Sequence, residues 1–272
     1  MTINAQKMLA RKPKTWIMNS IFTTILLVAV ILSFQGSSIN MLRLQTIGVN
    51  LRIIGKQLIN LNIDFLIGRG VYAFEEGVIY LTIETLAIGF LGTLVGAILA
   101  LPFSFLASKN IVGIKVAKIG EAILVMIRVF PEVILALVIV KGFGMNALTG
   151  MLTIGIHSIG MLGKLFSETI DNMDKSSLEA LEAVGATTIT KIRYGIMPQI
   201  MADLSSITLY RLDINVRSAT VLGIVGAGGL GASMILSAEN SNWDILGTIM
   251  VAIIVMVLTV DAISSHLRSK LV

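Results

Sequence analysis

The sequence predicts an all-α, polytopic membrane bundle of about six transmembrane helices. Two observations carry this. First, 55% of the 272 residues are hydrophobic and only 14% are charged, with a mean hydropathy of +0.89, more apolar surface than one soluble core of this size can hide. Second, several windows of about 20 residues are nearly free of charge, the length a bilayer core demands of a helix. Helices follow because a lone helix satisfies its own backbone in hydrocarbon.

The first window, residues 16–34, is uncharged and follows Arg11, Lys12 and Lys14, a flank that predicts a cytoplasmic N-terminus. A cleavable signal is the alternative. The window is longer than a usual signal core and no A-x-A-like site follows before Gln35 and Gly36, so it reads as a retained span. Next, Leu44, Ile47, Leu51, Ile54, Leu58, Leu61 and Phe65 recur at spacings of three and four, with Arg43, Arg52 and Lys56 elsewhere on the wheel. That pattern predicts an amphipathic helix lying on the outer membrane surface, with docking to an extramembrane partner as its alternative. Residues 1–77 thus form an N-terminal span plus interfacial helix, and residues 78–272 the transmembrane core.

Within that core, spans are expected at 79–106, 121–140, 147–166, 201–225 and 243–264. From an inside N-terminus they place Lys109, Lys115 and Lys118, then Lys175, Lys191 and Arg193, then Arg268 and Lys270 on the cytoplasmic side. The segment 223–242, free of Lys and Arg, falls outside. The 201–225 window carries charge, yet dropping it would put the C-terminal cations outside, so six spans with both ends cytoplasmic is the self-consistent topology. The net charge of +5 does not imply nucleic acid, because the cations gather at span ends. Without cysteine there are no disulfides or thiolate metal sites, and His157 and His266 are too far apart for a local metal motif. No internal repeat is evident.

The long cytoplasmic segment 167–199 is the most informative. From Ser177 to Thr187 a short helix is expected to open on a serine cap, with Ala180, Ala183 and Val184 on one side and Gly185 allowing another surface to come close. Pro198 suits the first turn of the following helix. Read by itself, the segment is equally an ordinary amphipathic helix.

Glu179-Ala180-Leu181-x-x-x-Gly185 followed by Pro198 resembles the EAA loop of importer-type ATP-binding-cassette permeases. Leu181 replaces a small residue of that motif and Gly195 stands where Ile is usual. The wider context, Glu182 to Ala186, Arg193 to Gln199, Thr208 to Gly223, Ile224 to Gly231, Phe130-Pro131-Glu132 and Ile159 to Phe166, resembles the phosphonate permeases among them. The resemblance implies the type I importer, MetI-like permease fold, with residues 177–190 as the coupling helix and Glu179, Ala180, Glu182, Ala183, Gly185 and Ala186 facing the ATPase. It further implies two cytoplasmic ATPase subunits holding ATP and magnesium, a second permease subunit (a homodimer), an external phosphonate-binding protein and a bacterial inner-membrane location. No cofactor, metal or catalytic residue is expected in this chain. Related permeases serving phosphite or phosphate are the alternative substrate reading.

Gly226-Ala-Gly-Gly-Leu-Gly231 satisfies the G-x-G-x-x-G spacing of a dinucleotide loop, but the next long element is another span and the glycines fall outside. Gly226, Gly228, Gly229 and Gly231 are read instead as close helix packing or an outer gate. Arg211, Asp213 and Arg217 lie inside the fifth span, where ionisable groups must pair, face the interior or line a wet path. Asp213 and Arg217 have the favourable acid-first i, i+4 order, whereas Arg128 and Glu132 have the weaker one. Two readings stay open: structural pairing, or a translocation path for an anion bordered by Arg217, Arg211, Asn215 and Arg128. A self-sufficient channel or secondary transporter would show paired discontinuous spans in related halves, and a membrane enzyme would need clustered acids or histidines. Neither pattern is present.

Overall fold

Among the residues that the computed structural model describes, 15–36 and 41–271, all regular structure is helical. The cationic flank at Arg11, Lys12 and Lys14 lies outside the described residues. Internal contacts divide the chain into residues 1–55 and 56–272. In the first unit, α1 (Thr15–Gly36) carries no charge, and its described side chains are exposed. Among the described residues, it is one of four helices long and apolar enough to cross a bilayer.

The amphipathic run is shorter than expected. Helix α2 (Met41–Ile59) stops before Asn60, and a separate helix α3 (Ile63–Ile67) begins after it. The cause is Asn62, whose side-chain oxygen accepts from the Phe65 N–H at 2.9 Å and so starts a new helix. In the second unit Asn62 also donates to Asp244 at 3.0 Å, and its N–H reaches the Thr248 hydroxyl at 2.9 Å. Phe65 is buried by this stapling, with Tyr72 edge-on at 5.1 Å.

Helix α4 (Val78–Ala107) matches the expected span and packs closely on α7 (Ala147–Asn172), which extends six residues past the expected Phe166. Small residues make the approach possible. A Cβ on Gly92 would lie 2.8 Å from the Ile154 side chain, and one on Gly96 2.7 Å from Ser158 Cβ. Lipid tails are as apolar as leucine, so close backbone approach and hydrogen bonds drive such contacts.

The single span expected at 121–140 is broken. Helix α5 (Lys109–Val129) and α6 (Glu132–Phe143) meet at 80° across Phe130 and Pro131. Proline pushes the residue before it out of the helical region, and Phe130 is extended at φ −68, ψ 123. The element becomes a bent pair, and counting it as one span gives five apolar crossings.

A helical turn (Thr188–Thr190) and a π-helical stretch (Lys191–Ile196) run directly into α9 (Met197–Gly223), with Pro198 in its first turn as expected. Its charges keep α9 below the hydropathy of a span, yet its 27 residues extend about 40 Å at 1.5 Å each, beyond the hydrocarbon thickness. It packs against α4, α7, α10 (Gly229–Glu239) and α11 (Trp243–Leu271). The fifth span of the expected topology is thus present as a long helix that packs on four others.

Candidate functional site

Two regions gather most of the residues that the sequence singles out. The first is α8 (Ser176–Ala183), between α7 and the π-helical stretch. Its start differs from expectation: no serine side chain caps it. Lys175 is the N-cap, and the Asp174 carboxylate accepts from the Ser176 N–H at 3.0 Å and hydroxyl at 2.7 Å. That N–H and then the hydroxyl hold the Asp174 carboxyl below the usual carboxylate range. The end is a Schellman motif: Ala186 N–H bonds the Leu181 carbonyl and Gly185 N–H the Glu182 carbonyl, both at 2.9 Å. Gly185 adopts φ 74 for this closure, and no atom of the chain lies within 4 Å of where its Cβ would stand.

Between these two ends Glu179, Ala180, Glu182, Ala183 and Gly185 are exposed, and Ala186 is half-buried. Val184 and Ile189 are each 78% exposed, so apolar side chains stand out beside two carboxylates. Beneath them, Leu178 and Ile192 reach the apolar cluster of Leu162, Phe166, Ile170, Ile196 and Ile200. Leu181 points inward, its Cδ1 2.8 Å from the position a Cβ on Gly195 would take. The two departures from the EAA pattern are thus one exchange of volume: a larger residue on α8 fills the space left by a smaller one below. Glu182 also pairs with Lys191 at 2.8 Å.

The second region lies between α7 and α9. Arg211 is buried, donating to His157 Nδ1 at 2.9 Å, to the Met161 sulfur at 3.0 Å and to Ser158 Oγ at 3.4 Å. Guanidinium has no acceptor, so His157 Nδ1 accepts and its proton sits on Nε2. Asn215 is fully buried and donates to Thr93 at 2.8 Å and Ser158 at 2.9 Å. Arg217 pairs with Asp213 as the spacing predicts, but its side chain remains 55% exposed. Glu132 accepts from Ser218 at 3.0 Å and makes no ion pair with Arg128, because the break at Pro131 falls between them. Arg128 is exposed. Glu132 Oε1, Asp213 Oδ1 and Asn215 Oδ1 are buried without a hydrogen-bond partner.

The structure joins Arg211 to Asn215 through Ser158, sets Arg217 two residues beyond Asn215 on α9 and leaves Arg128 on another helix. Sequence reasoning missed Thr93, Ser158 and Met161, and considered His157 only as a metal ligand. The available signal was an ionisable side chain inside an apolar window.

The glycine run ends α9 and begins α10. Gly228 and Gly229 have φ 83 and 70, conformations that a side chain would strain. Glu84 accepts from the Gly229 N–H at 3.1 Å and Thr85 from the Leu230 N–H at 2.9 Å, so α4 caps α10. Gly226 lies against Met145, and Gly231 against the Thr220 carbonyl.

The model of a family described as binding-protein-dependent transport system inner membrane component matches residues 92–270. The phosphite transport system permease protein PtxC of Stutzerimonas stutzeri is 35% identical over 187 residues, 68% of either chain. The putative cryptic phosphonate transport system permease protein PhnE2 of Escherichia coli K12 is 40% identical over 122 residues, covering 45% of this chain and all of that one. Among solved structures, a chain of the MetNI methionine ABC transporter in an inward-facing conformation superposes with a TM-score of 0.63 at 20% identity, covering 72% of this chain and 96% of that one. At that identity the likeness concerns the fold.

Proposed function

The chain belongs to the binding-protein-dependent transport system inner membrane component family, and from that premise we propose that it is the permease subunit of a phosphonate importer. The observation that carries the proposal is α8. It is closed at both ends, seated on the bundle through Leu178 and Leu181, and presents Glu179, Ala180, Ala183 and Val184 outward. A surface of that kind suits insertion into a cytoplasmic ATPase.

In this reading two permease subunits form a homodimer, each with a cytoplasmic ATPase that holds ATP and magnesium, and an external binding protein delivers substrate. Both termini face the cytoplasm. Closure of the ATPases moves α8 and switches the bundle between inward and outward access, a two-state element biased by a ligand bound elsewhere. Arg217 and Arg128, the more exposed intramembrane cations, border the path. Arg211 and Asn215 stand behind them and hold α9 against α7, while the glycines at 226, 228, 229 and 231 form the outer gate. A phosphonate anion crossing such a path meets guanidinium forks that replace part of its hydration.

Phosphite is the second reading, favoured by the relative PtxC, whose matching region spans 68% of this chain. Uptake of labelled methylphosphonate into liposomes containing the permease, its ATPase and the binding protein separates the two. ATP-dependent uptake that excess phosphonate suppresses and phosphite does not is the expected result; no uptake of methylphosphonate together with ATP-dependent uptake of labelled phosphite reassigns the substrate.

A further inference from the structure

The structure assigns Asp171 as a positioning residue that clamps the end of α7 leading into the input helix α8 to the corner between α4 and α5; the assignment rests on the reading of α8 as the ATPase contact. Asp171 lies on the last turn of α7, and four residues separate it from Ser176, where α8 begins. Its Oδ1 accepts from the Ser108 hydroxyl at 2.6 Å and from the Asn110 N–H at 3.1 Å. Asn110 returns the contact, its side-chain nitrogen donating to the Asp171 carbonyl at 2.8 Å and more weakly to Ile170 at 3.4 Å.

Ser108 and Asn110 are the corner itself. Helix α4 ends at Ala107, Ser108 is fully buried, and α5 starts at Lys109 and is kinked at Gly113, φ 78. Further along α5, a Cβ on Gly120 would stand 2.6 Å from the Leu106 carbonyl, so α5 is folded tightly back on the end of α4. A carboxylate on the first N–H groups of a helix is a charge-assisted contact, stronger than a neutral hydrogen bond. A second tie runs parallel: Lys164 of α7 meets Glu121 of α5 at 3.2 Å, and Lys109 approaches the same carboxylate at 3.7 Å.

The consequence is mechanical. Movement of α8 is delivered through four residues to Asp171 and, through Asp171, to the base of α5. Helix α5 ends at Arg128 and Val129, next to the 80° break that leads to Glu132. The clamp therefore links the ATPase-facing helix to the bent span that carries one cation and one carboxylate of the intramembrane region. Without it, the Lys164–Glu121 pair and the packing of Leu178 in one cluster with Phe105 and Ile111 would carry that movement alone.

The chain has no cysteine, so spin labels at Lys175→Cys and Lys118→Cys report the separation of α8's start from α5 in the assembled transporter. Asp171→Ala is expected to broaden that distance distribution and to lower substrate carried per ATP hydrolysed by about fivefold or more, with the ATPase still bound. Asp171→Asn, which keeps an acceptor oxygen for Ser108 and Asn110, is expected to restore most of both. An unchanged transport ratio in Asp171→Ala overturns the clamp, as does failure of Asp171→Asn to restore the ratio. A parallel Glu179→Ala, Gly185→Asp change separates the causes. If it silences stimulated hydrolysis while Asp171→Ala leaves the ratio intact, the clamp alone is wrong. If it leaves hydrolysis untouched, α8 is not the input, and the clamp proposal falls with the reading it rests on.

Discussion

Helix α8 and the α7–α9 cluster use polar residues in opposite ways. On α8, Glu179 and Glu182 stand exposed among small and apolar side chains, and the helix is held by its own caps and by Leu178 and Leu181 beneath it. In the cluster, Arg211 and Asn215 are enclosed and give their donors to His157, Ser158, Met161 and Thr93. A surface that awaits a partner leaves its groups exposed, whereas donors inside a bilayer must find acceptors within the chain because no water is present to take them. Substitutions on α8 should therefore change coupling and leave the fold intact, and substitutions in the cluster should change the fold first.

The sharpest contrast is Asn215→Leu, which removes two donors from buried hydroxyls at Thr93 and Ser158. It is expected to cost about 1–3 kcal/mol and lower the melting temperature in detergent. An unchanged melting temperature would break the comparison, because it would show that Asn215 is as free as Glu179. Next is the Leu181–Gly195 exchange. Leu181→Ala and Gly195→Ile should each destabilise the seating of α8, and the double variant should recover, with a coupling of about 1 kcal/mol in a thermal double-mutant cycle. Additive effects would show that the two positions do not share one space.

Lys191→Gln, which removes the Glu182 ion pair, is expected to change stability by no more than about 0.5 kcal/mol, since the Glu182 side chain is 55% exposed. The smallest effect is that of pH on α8. The Asp174 carboxyl is held below its ordinary value by the Ser176 N–H, so its cap is fully present above that ordinary value and is lost as pH falls through the lowered one. The mobility of a spin label at Ser177→Cys should rise over that acidic interval and stay constant from there to neutrality.

The legibility of the two regions differs in the same way. The α8 motif is a linear spacing, so Glu179, Gly185 and Pro198 could be read without coordinates, and the Asp213–Arg217 pair could be read because i, i+4 neighbours share a helix face. Arg211 and His157 are 54 positions apart, and no one-dimensional pattern joins them. The α4–α7 contact was legible in part, because Gly92-Thr-Leu-Val-Gly96 is a small-x-x-x-small motif, although its partners at Ile154 and Ser158 were not. The bend at Pro131 was also available in the chain: hydropathy averages over a window and hides a break, while one proline decides it. The serine cap failed because Asp174, two residues before Ser176, takes the Ser176 N–H and hydroxyl with a full charge.

The most direct test of the account is ATP hydrolysis in liposomes that hold this chain with its co-purifying ATPase, with binding protein and phosphonate outside, compared between the native chain and the Glu179→Ala, Gly185→Asp variant. The account predicts substrate-stimulated hydrolysis that the double change abolishes without dissociating the permease from its ATPase. Stimulation that survives the double change, or no association with an ATPase at all, would contradict it.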